Sequence, residues 1–226
     1  MRNVDTYSAG REESVLTTNK LIRNTYMLLG MTLVFSAVTA AISMAINPPF
    51  IVYIGSILVS FIMLFVLNKK QNSAAALPLV FVFTGLMGFG LGPLLNHYLG
   101  MANGGDIVMT ALGMTALTFL GLSAYVMTSK KDFSFMGGFL SAGAIVALIA
   151  MVALFVLPMF GIEVGAMHMA FSAFIVLLMA GFILYDTSNI VNGHYTNYIM
   201  ATVSLYLNIY NLFVHMLALA GFSMDD

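Results

Sequence analysis

Apolar residues fall into seven long blocks separated by short polar breaks. A helix needs about 20 apolar residues to cross a bilayer core, within a range of about 17–25. Segments near 24–46, 50–67, 77–96, 107–128, 137–157, 166–186 and 200–222 each meet that length. The breaks carry helix-stopping or solvated residues, among them "NPP" at 47–49, "NKKQNS" at 68–73, "SKKDFSF" at 129–135 and "TSNIVNGHYTN" at 187–197. The pattern predicts an all-α, polytopic membrane protein built as a seven-transmembrane-helix bundle over residues 21–226, preceded by a polar, disordered tail at 1–20. A re-entrant 187–197 segment, leaving six full spans, is the alternative.

Composition agrees. Of 226 residues, 61% are hydrophobic and 8% charged, against about a quarter charged in a soluble domain. With no cysteine, disulfides and thiolate metal sites are excluded. Eight basic residues are too few for a nucleic-acid surface. The opening "MRNVDTYSAGREESVLTTNKLIRN" lacks the apolar core of a signal peptide and reads as a retained cytoplasmic tail.

Charge sets the orientation. Lys and Arg near helix ends mark the cytoplasmic side. Arg2, Arg11, Lys20 and Arg23 precede helix 1, Lys69 and Lys70 follow helix 2, and Lys130 and Lys131 follow helix 4. Alternation puts all three places on one side. The opposite links hold only acids, Asp106 and Glu163, and the chain ends in Asp225 and Asp226. The N-terminus is therefore expected in the cytoplasm and the C-terminus in the periplasm.

Within the apolar blocks, Asp186 in "AGFILYDTSNIVNG" is the outstanding residue. An Asp at the centre of a membrane helix costs at least roughly 2.5–3.5 kcal/mol on insertion scales, less near the interface. Two readings stand: Asp186 reaches the headgroups and caps the next turn, or it is a buried carboxylate serving as a pH-sensing or ion site. On helix 7, Ser204, Asn208, Asn211 and His215 recur at spacings of 4, 3 and 4 and share one face. Lipid cannot satisfy them, so that face points into the bundle, as interhelical glue or as a site. Asn208 lies about 12 Å along helix 7, at 1.5 Å per residue, within reach of Asp186.

Helix 3 carries Thr84, Gly88, Gly92 and Asn96 at four-residue spacing, with Pro93 beside them. Small residues allow close helix approach, and Pro93 removes a backbone donor and should kink the helix. Such a kink marks packing in most membrane proteins and a binding site in transporters. Ala111, Thr115 and Thr118 give helix 4 a comparable small face. The four histidines (His97, His168, His194, His215) show no paired metal spacing, and no HExxH, GxSxG or P-loop occurs. No enzyme activity, metal or cofactor is expected.

The segments "FTGLMGFGLGPLLNHYL", "TALTFLGLSAYVMTSKKDFSFMGG" and "YDTSNIVNGHYTNYIMATVSLYLNIYNLF" resemble the signature regions of the Bax inhibitor family of seven-helix membrane proteins. "KLIRNTYMLLGMTLVFSAVTA" points to its bacterial, YccA-like branch. The resemblance implies a bacterial inner-membrane protein that associates with an FtsH-type AAA protease and restrains it. For the wider family it also implies a pH-sensitive calcium or proton leak, with paired acids on helices 6 and 7 and a latching arginine on helix 2. Asp186 matches the helix-6 acid, but Asn208 stands at the helix-7 position and helix 2 has no arginine. An Asp–Asn pair hydrogen-bonds without the mutual repulsion that makes two carboxylates titrate as a coupled pair.

Overall fold

In a computed structural model, the backbone is described for residues 2–224 and side chains for 16–224; the terminal Asp225 and Asp226 lie outside the described residues. The elements are α1 (Arg2–Ile46), α2 (Ile51–Lys70), α3 (Ala76–Leu99), α4 (Gly104–Ser129), α5 (Gly137–Val156), α6 (Gly165–Val191) and α7 (Tyr198–Met224), with short 3-10 turns at Ser134–Met136 and Leu157–Phe160 on either side of α5. Among the described residues there is no strand. Seven helices are long and apolar enough to cross a membrane, the first over Leu16–Ile46.

Local chemistry explains the helix ends. α1 stops where Asn47 turns left-handed (φ 52°) ahead of Pro48 and Pro49, which cannot continue its hydrogen-bond ladder. Lys130, also left-handed, closes α4 through its N–H to the Val126 carbonyl. Lys69 and Lys70 occupy the last turn of α2, where the helix dipole favours cations. Pro158 sits at the start of the 3-10 turn after α5.

Two boundaries differ markedly from the sequence expectation. Helix 1 does not begin at 24: its backbone is helical from Arg2, so the expected disordered tail is a helical extension of the first span. The side chains of its first residues lie outside the described set. Helix 6 does not stop at 186 but continues to Val191, because Thr187, Ser188 and Asn189 are buried and find partners on other elements. The 6–7 link is thereby cut to 192–197, too short to dip back into a membrane, and α7 is a full span. Pro93 lies inside α3, which continues as a helix on both sides of it.

Two helices form the centre. In the most apolar window of α3, 56% of residues are buried, and in α7 44%, against 11% in α5. α7 packs on α6, α4, α1 and α3; α3 packs on α1, α2 and α4; α5 packs mainly on α6. The α1–α3 contact depends on glycine: a Cβ at Gly88 would strike the Ser36 carbonyl and Thr39, and one at Gly92 would strike Ser43. Thus the Thr84–Gly88–Gly92–Asn96 stripe is a helix-packing face.

The links confirm strict alternation. Asn197 donates to the Gln71 carbonyl (2.9 Å) and Asn72 Oδ1 (2.9 Å), tying the α6–α7 link to the α2–α3 link. Ser188 on α6 takes the Phe133 N–H (2.8 Å) of the α4–α5 link. All the links that carry Lys therefore gather at one end, called here the cationic end. At the other end Asn103 donates to the Met224 carbonyl (3.1 Å).

Candidate functional site

Asp186 lies in the last turns of α6, only 2% exposed. Its Oδ2 accepts hydrogen bonds from Ser204 Oγ (2.6 Å) and Asn208 Nδ2 (2.7 Å), one turn apart on α7. Its Oδ1 accepts from the Tyr195 hydroxyl (3.0 Å). All three partners are neutral. Asp186 is buried and does not end the helix to cap the next turn: α6 passes through it, and its oxygens face α7 and the returning link.

The next residues fix this corner. Thr187 Oγ1 lies 3.3 Å from the Tyr26 hydroxyl of α1 and 3.3 Å from Ser123 Oγ of α4. Ser188 holds the α4–α5 link, as described. Then Gly193 takes a left-handed turn (φ 75°), and the Asn189 carbonyl accepts both the His194 N–H (2.8 Å) and the Tyr195 N–H (3.3 Å). That compact turn sends the Tyr195 ring back over Asp186. Burial first, and then the negative charge of Asp186, push the Tyr195 phenol above its ordinary range, so it keeps its proton and remains a donor.

Tyr195 also lines an open cleft of about 700 Å³ at the cationic end, together with Lys20, Asn24, Asn192 and Tyr198. One phenol ring therefore stands between Asp186 and the cleft. The arrangement can hold a carboxylate in low dielectric and exchange a proton or a ligand with the aqueous side if Tyr195 moves.

The expected site residues divide between two places. Asp186, Ser204 and Asn208 come together. Asn211 instead donates to the Leu207 carbonyl of its own helix (2.8 Å), and His215 pairs with Ser172 Oγ (3.1 Å) beside the Phe171 ring, farther along the α6–α7 seam. Asn96 and Pro93 sit toward the opposite end of the bundle. Asn96 donates to the Met44 carbonyl (3.0 Å) and Asn47 Oδ1 (2.8 Å), satisfying the end of α1. Among the described residues, no group of three or more His, Cys, Asp or Glu gathers in a way that would hold a metal ion. Sequence reasoning missed Tyr195, Thr187, Ser188 and Ser123. The first three lay in a stretch read as loop, and no periodicity reveals a loop side chain that folds back.

Residues 18–225 match the family described as inhibitor of apoptosis-promoting Bax1. The chain is 50% identical to an uncharacterized membrane protein of Vibrio cholerae, covering 92% of both chains. It is 46% identical to the modulator of FtsH protease YccA of Escherichia coli, covering 94% of both, and 46% identical to an uncharacterized protein of Pseudomonas aeruginosa, covering 91% of this chain and 90% of that one.

Proposed function

We infer that this chain, which belongs to the Bax inhibitor family and is a multi-pass inner-membrane protein, acts there as a non-enzymatic regulator that binds and restrains an FtsH-type membrane protease. The observation that carries the reading is the 46% identity, across 94% of both chains, to a protein named as a modulator of that protease. Its mechanism is occupancy. The cationic end faces the cytoplasm by the positive-inside rule, the N-terminal segment 1–20 is a handle there, and the C-terminus is periplasmic. A protease that engages the handle must then extract a bundle whose α1, α3 and α7 are locked by glycine contacts and by buried hydrogen bonds between helices. Unfolding that core is slow, so the protease is held without processing its load. Tagged protein purified in mild detergent should retain the protease; recovering none removes the reading.

A second reading, a pH-sensitive calcium or proton leak, is favoured by one observation: a buried carboxylate with neutral partners lies one tyrosine away from an open cleft. Proteoliposomes loaded with a calcium dye test it. Flux that Asp186→Asn leaves unchanged between about pH 5 and pH 8, the range open to a buried carboxylate, eliminates it.

A further inference from the structure

α5 packs mainly on α6, and no extensive contact joins it to α2, α3 or α7. Where it stands off, its last turns and the 3-10 turn after it enclose a crevice of about 560 Å³ against α2, α3, α6 and α7. The crevice lies in the half of the bundle away from the cationic end. Tyr53 is the third residue of α2, Tyr98 the last but one of α3 and His168 the fourth of α6. His215 is deeper, about 14 Å before the end of α7 at 1.5 Å per residue. Met151 and Phe155, exposed on α5, form the edge toward lipid. A second cavity of about 350 Å³ shares Tyr98, His168 and Ser172 with the first and continues to Phe222 near the end of α7. The crevice thus meets hydrocarbon on its flank and the aqueous side at its end.

Four helices each contribute a polar ring to this one space. Ser172, itself only 6% exposed, pairs with His215 Nδ1 (3.1 Å), and the Phe171 ring meets the imidazole edge-on at 5.5 Å. These contacts fix the imidazole and leave Nε2 as its open position. His215 Nε2 and the Tyr53 and Tyr98 hydroxyls have no hydrogen-bond partner among the described residues, and unlike the Tyr210 hydroxyl none of them is sealed inside the protein. A molecule in the crevice can reach all three.

The rest of the wall is mostly apolar, and no Lys, Arg, Asp or Glu lines either cavity. Water fits poorly: the larger space would take about nineteen molecules at ~30 Å³ each, and each needs 2–4 polar partners. A phospholipid brings a phosphate, which finds no Lys or Arg here, since this end of the bundle carries the acids Asp106 and Glu163 instead. An uncharged molecule is left. Apolar walls with a few convergent polar groups, in roughly 300–1,000 Å³, are the usual form of a small-molecule site. Phenols and a neutral imidazole each offer both a donor and an acceptor, so they satisfy a carbonyl or a hydroxyl equally well. Aromatic walls suit a flat ring.

We propose that this crevice is a binding site for an uncharged, flat-ringed, membrane-soluble molecule of the quinone or quinol class, with one ring oxygen bonded to His215 Nε2 and another to the Tyr53 or Tyr98 hydroxyl. The ring enters between α2 and α5, and its hydrocarbon tail stays in the lipid beside Met151 and Phe155. The site is separate from the Asp186 corner and does not depend on the regulator reading.

The full chain, in nanodiscs of phosphatidylethanolamine and phosphatidylglycerol, is irradiated with a short-tailed azido-ubiquinone, with and without excess decylubiquinone. Saturable labelling that decylubiquinone competes away, and that maps to the crevice by peptide mass spectrometry, is expected. Combining Tyr53→Phe with Tyr98→Phe keeps both rings and removes only hydroxyls that have no partner in the fold. The melting temperature should therefore hold while apparent affinity for decylubiquinone falls roughly two- to tenfold. Ala218→Phe, which fills the crevice, should abolish the competed labelling. Labelling that is not competed or that maps elsewhere overturns the site, as does unchanged affinity in the double tyrosine variant. A photoreactive phosphatidylethanolamine that labels the same residues and resists displacement by decylubiquinone would also overturn it, by making the occupant a phospholipid.

Discussion

The Tyr195 hydroxyl donates to Asp186 Oδ1 at 3.0 Å across nine residues of chain, from a link that is only six residues long. The bond closes the turn between α6 and α7 and covers the buried carboxylate at the same time. Tyr195→Phe removes it without changing the ring. Oδ1 then loses its one phenolic donor, and an unsatisfied buried acceptor costs about 1–3 kcal/mol. A lower melting temperature in detergent is expected, together with faster hydrogen exchange at the His194 and Tyr195 amides. An unchanged melt and unchanged exchange would show that the phenol does not restrain the link.

Asp186→Leu should be worse. It strands three donors at once, on Tyr195, Ser204 and Asn208. With roughly 1–3 kcal/mol for each stranded group, the loss approaches the whole stability of a small domain. Low yield of folded protein, restored in part by Asp186→Asn, is the expected pattern. Equal yields for the two substitutions would deny that hydrogen bonding at this position matters.

Glycine contrasts offer an internal control. A methyl at Gly88 meets the Ser36 backbone carbonyl, which cannot swing aside, whereas one at Gly113 or Gly121 meets nothing within 4 Å. Gly88→Ala should lower stability by about 1–3 kcal/mol through overpacking. Gly113→Ala and Gly121→Ala should be neutral or stabilising by up to about 1 kcal/mol, since helical glycine carries an entropic penalty. Thermal melts of the three variants in one detergent decide the ranking.

These cases show what the chain made legible. The seven spans could be read because each is an uninterrupted apolar block, and the packing role of Gly88 and Gly92 because period-four small residues have few other uses. Asp186, Ser204 and Asn208 could be paired because one carboxylate and one polar helix face had nowhere else to go. The end of α6 was illegible. "DTSN" has the composition of a turn, and only burial against α1, α4 and the α4–α5 link keeps it helical. Tyr195 was hidden for the same reason: the fold-back depends on the Asn189 carbonyl, which a helix ending at 186 would not have presented.

The α4–α5 link gives a pH prediction at the cationic end. The Ser134 backbone N–H donates to Asp132 Oδ1 (2.8 Å), and this bond is the main reason the Asp132 carboxyl lies below its ordinary range. A depressed carboxylate stabilises the fold above its unfolded pKa and loses that contribution as pH falls through the lower folded value. The turn at 132–136 should therefore persist down to the ordinary carboxylate range and open only below it. Carboxyl carbon shifts of Asp132 followed by NMR would show the depressed midpoint, and an ordinary midpoint would contradict the bond.

Orientation is checked by labelling. Thiol reagents that cannot cross the membrane should modify Asp106→Cys in intact cells after the outer membrane is opened, and should leave Lys69→Cys untouched until the cells are lysed. Both side chains are exposed, so access to the compartment decides the result. The reverse pattern would invert the map and place the Tyr195 cleft outside the cell.

The last prediction concerns how the three central helices are joined. Tyr206 of α7 is 1% exposed, lies 2.7 Å from Ser36 Oγ of α1, and is 3.3 Å from the Thr84 carbonyl of α3. Its ring meets Phe83 edge-on at 5.8 Å. One phenol thus connects α1, α3 and α7 where they meet. Either single substitution, Tyr206→Phe or Ser36→Ala, also strands its former partner, so neither alone measures the bond. A double-mutant cycle removes that error. Coupling between the two positions should be about 0.6 kcal/mol, and no more than about 1.7 kcal/mol, the range found for hydrogen bonds between membrane helices. If extraction resistance is what restrains the protease, the same two substitutions should also shorten the lifetime of this chain in protease-containing membranes. A measurable coupling energy with an unchanged lifetime would mean that restraint does not depend on how tightly the centre is held.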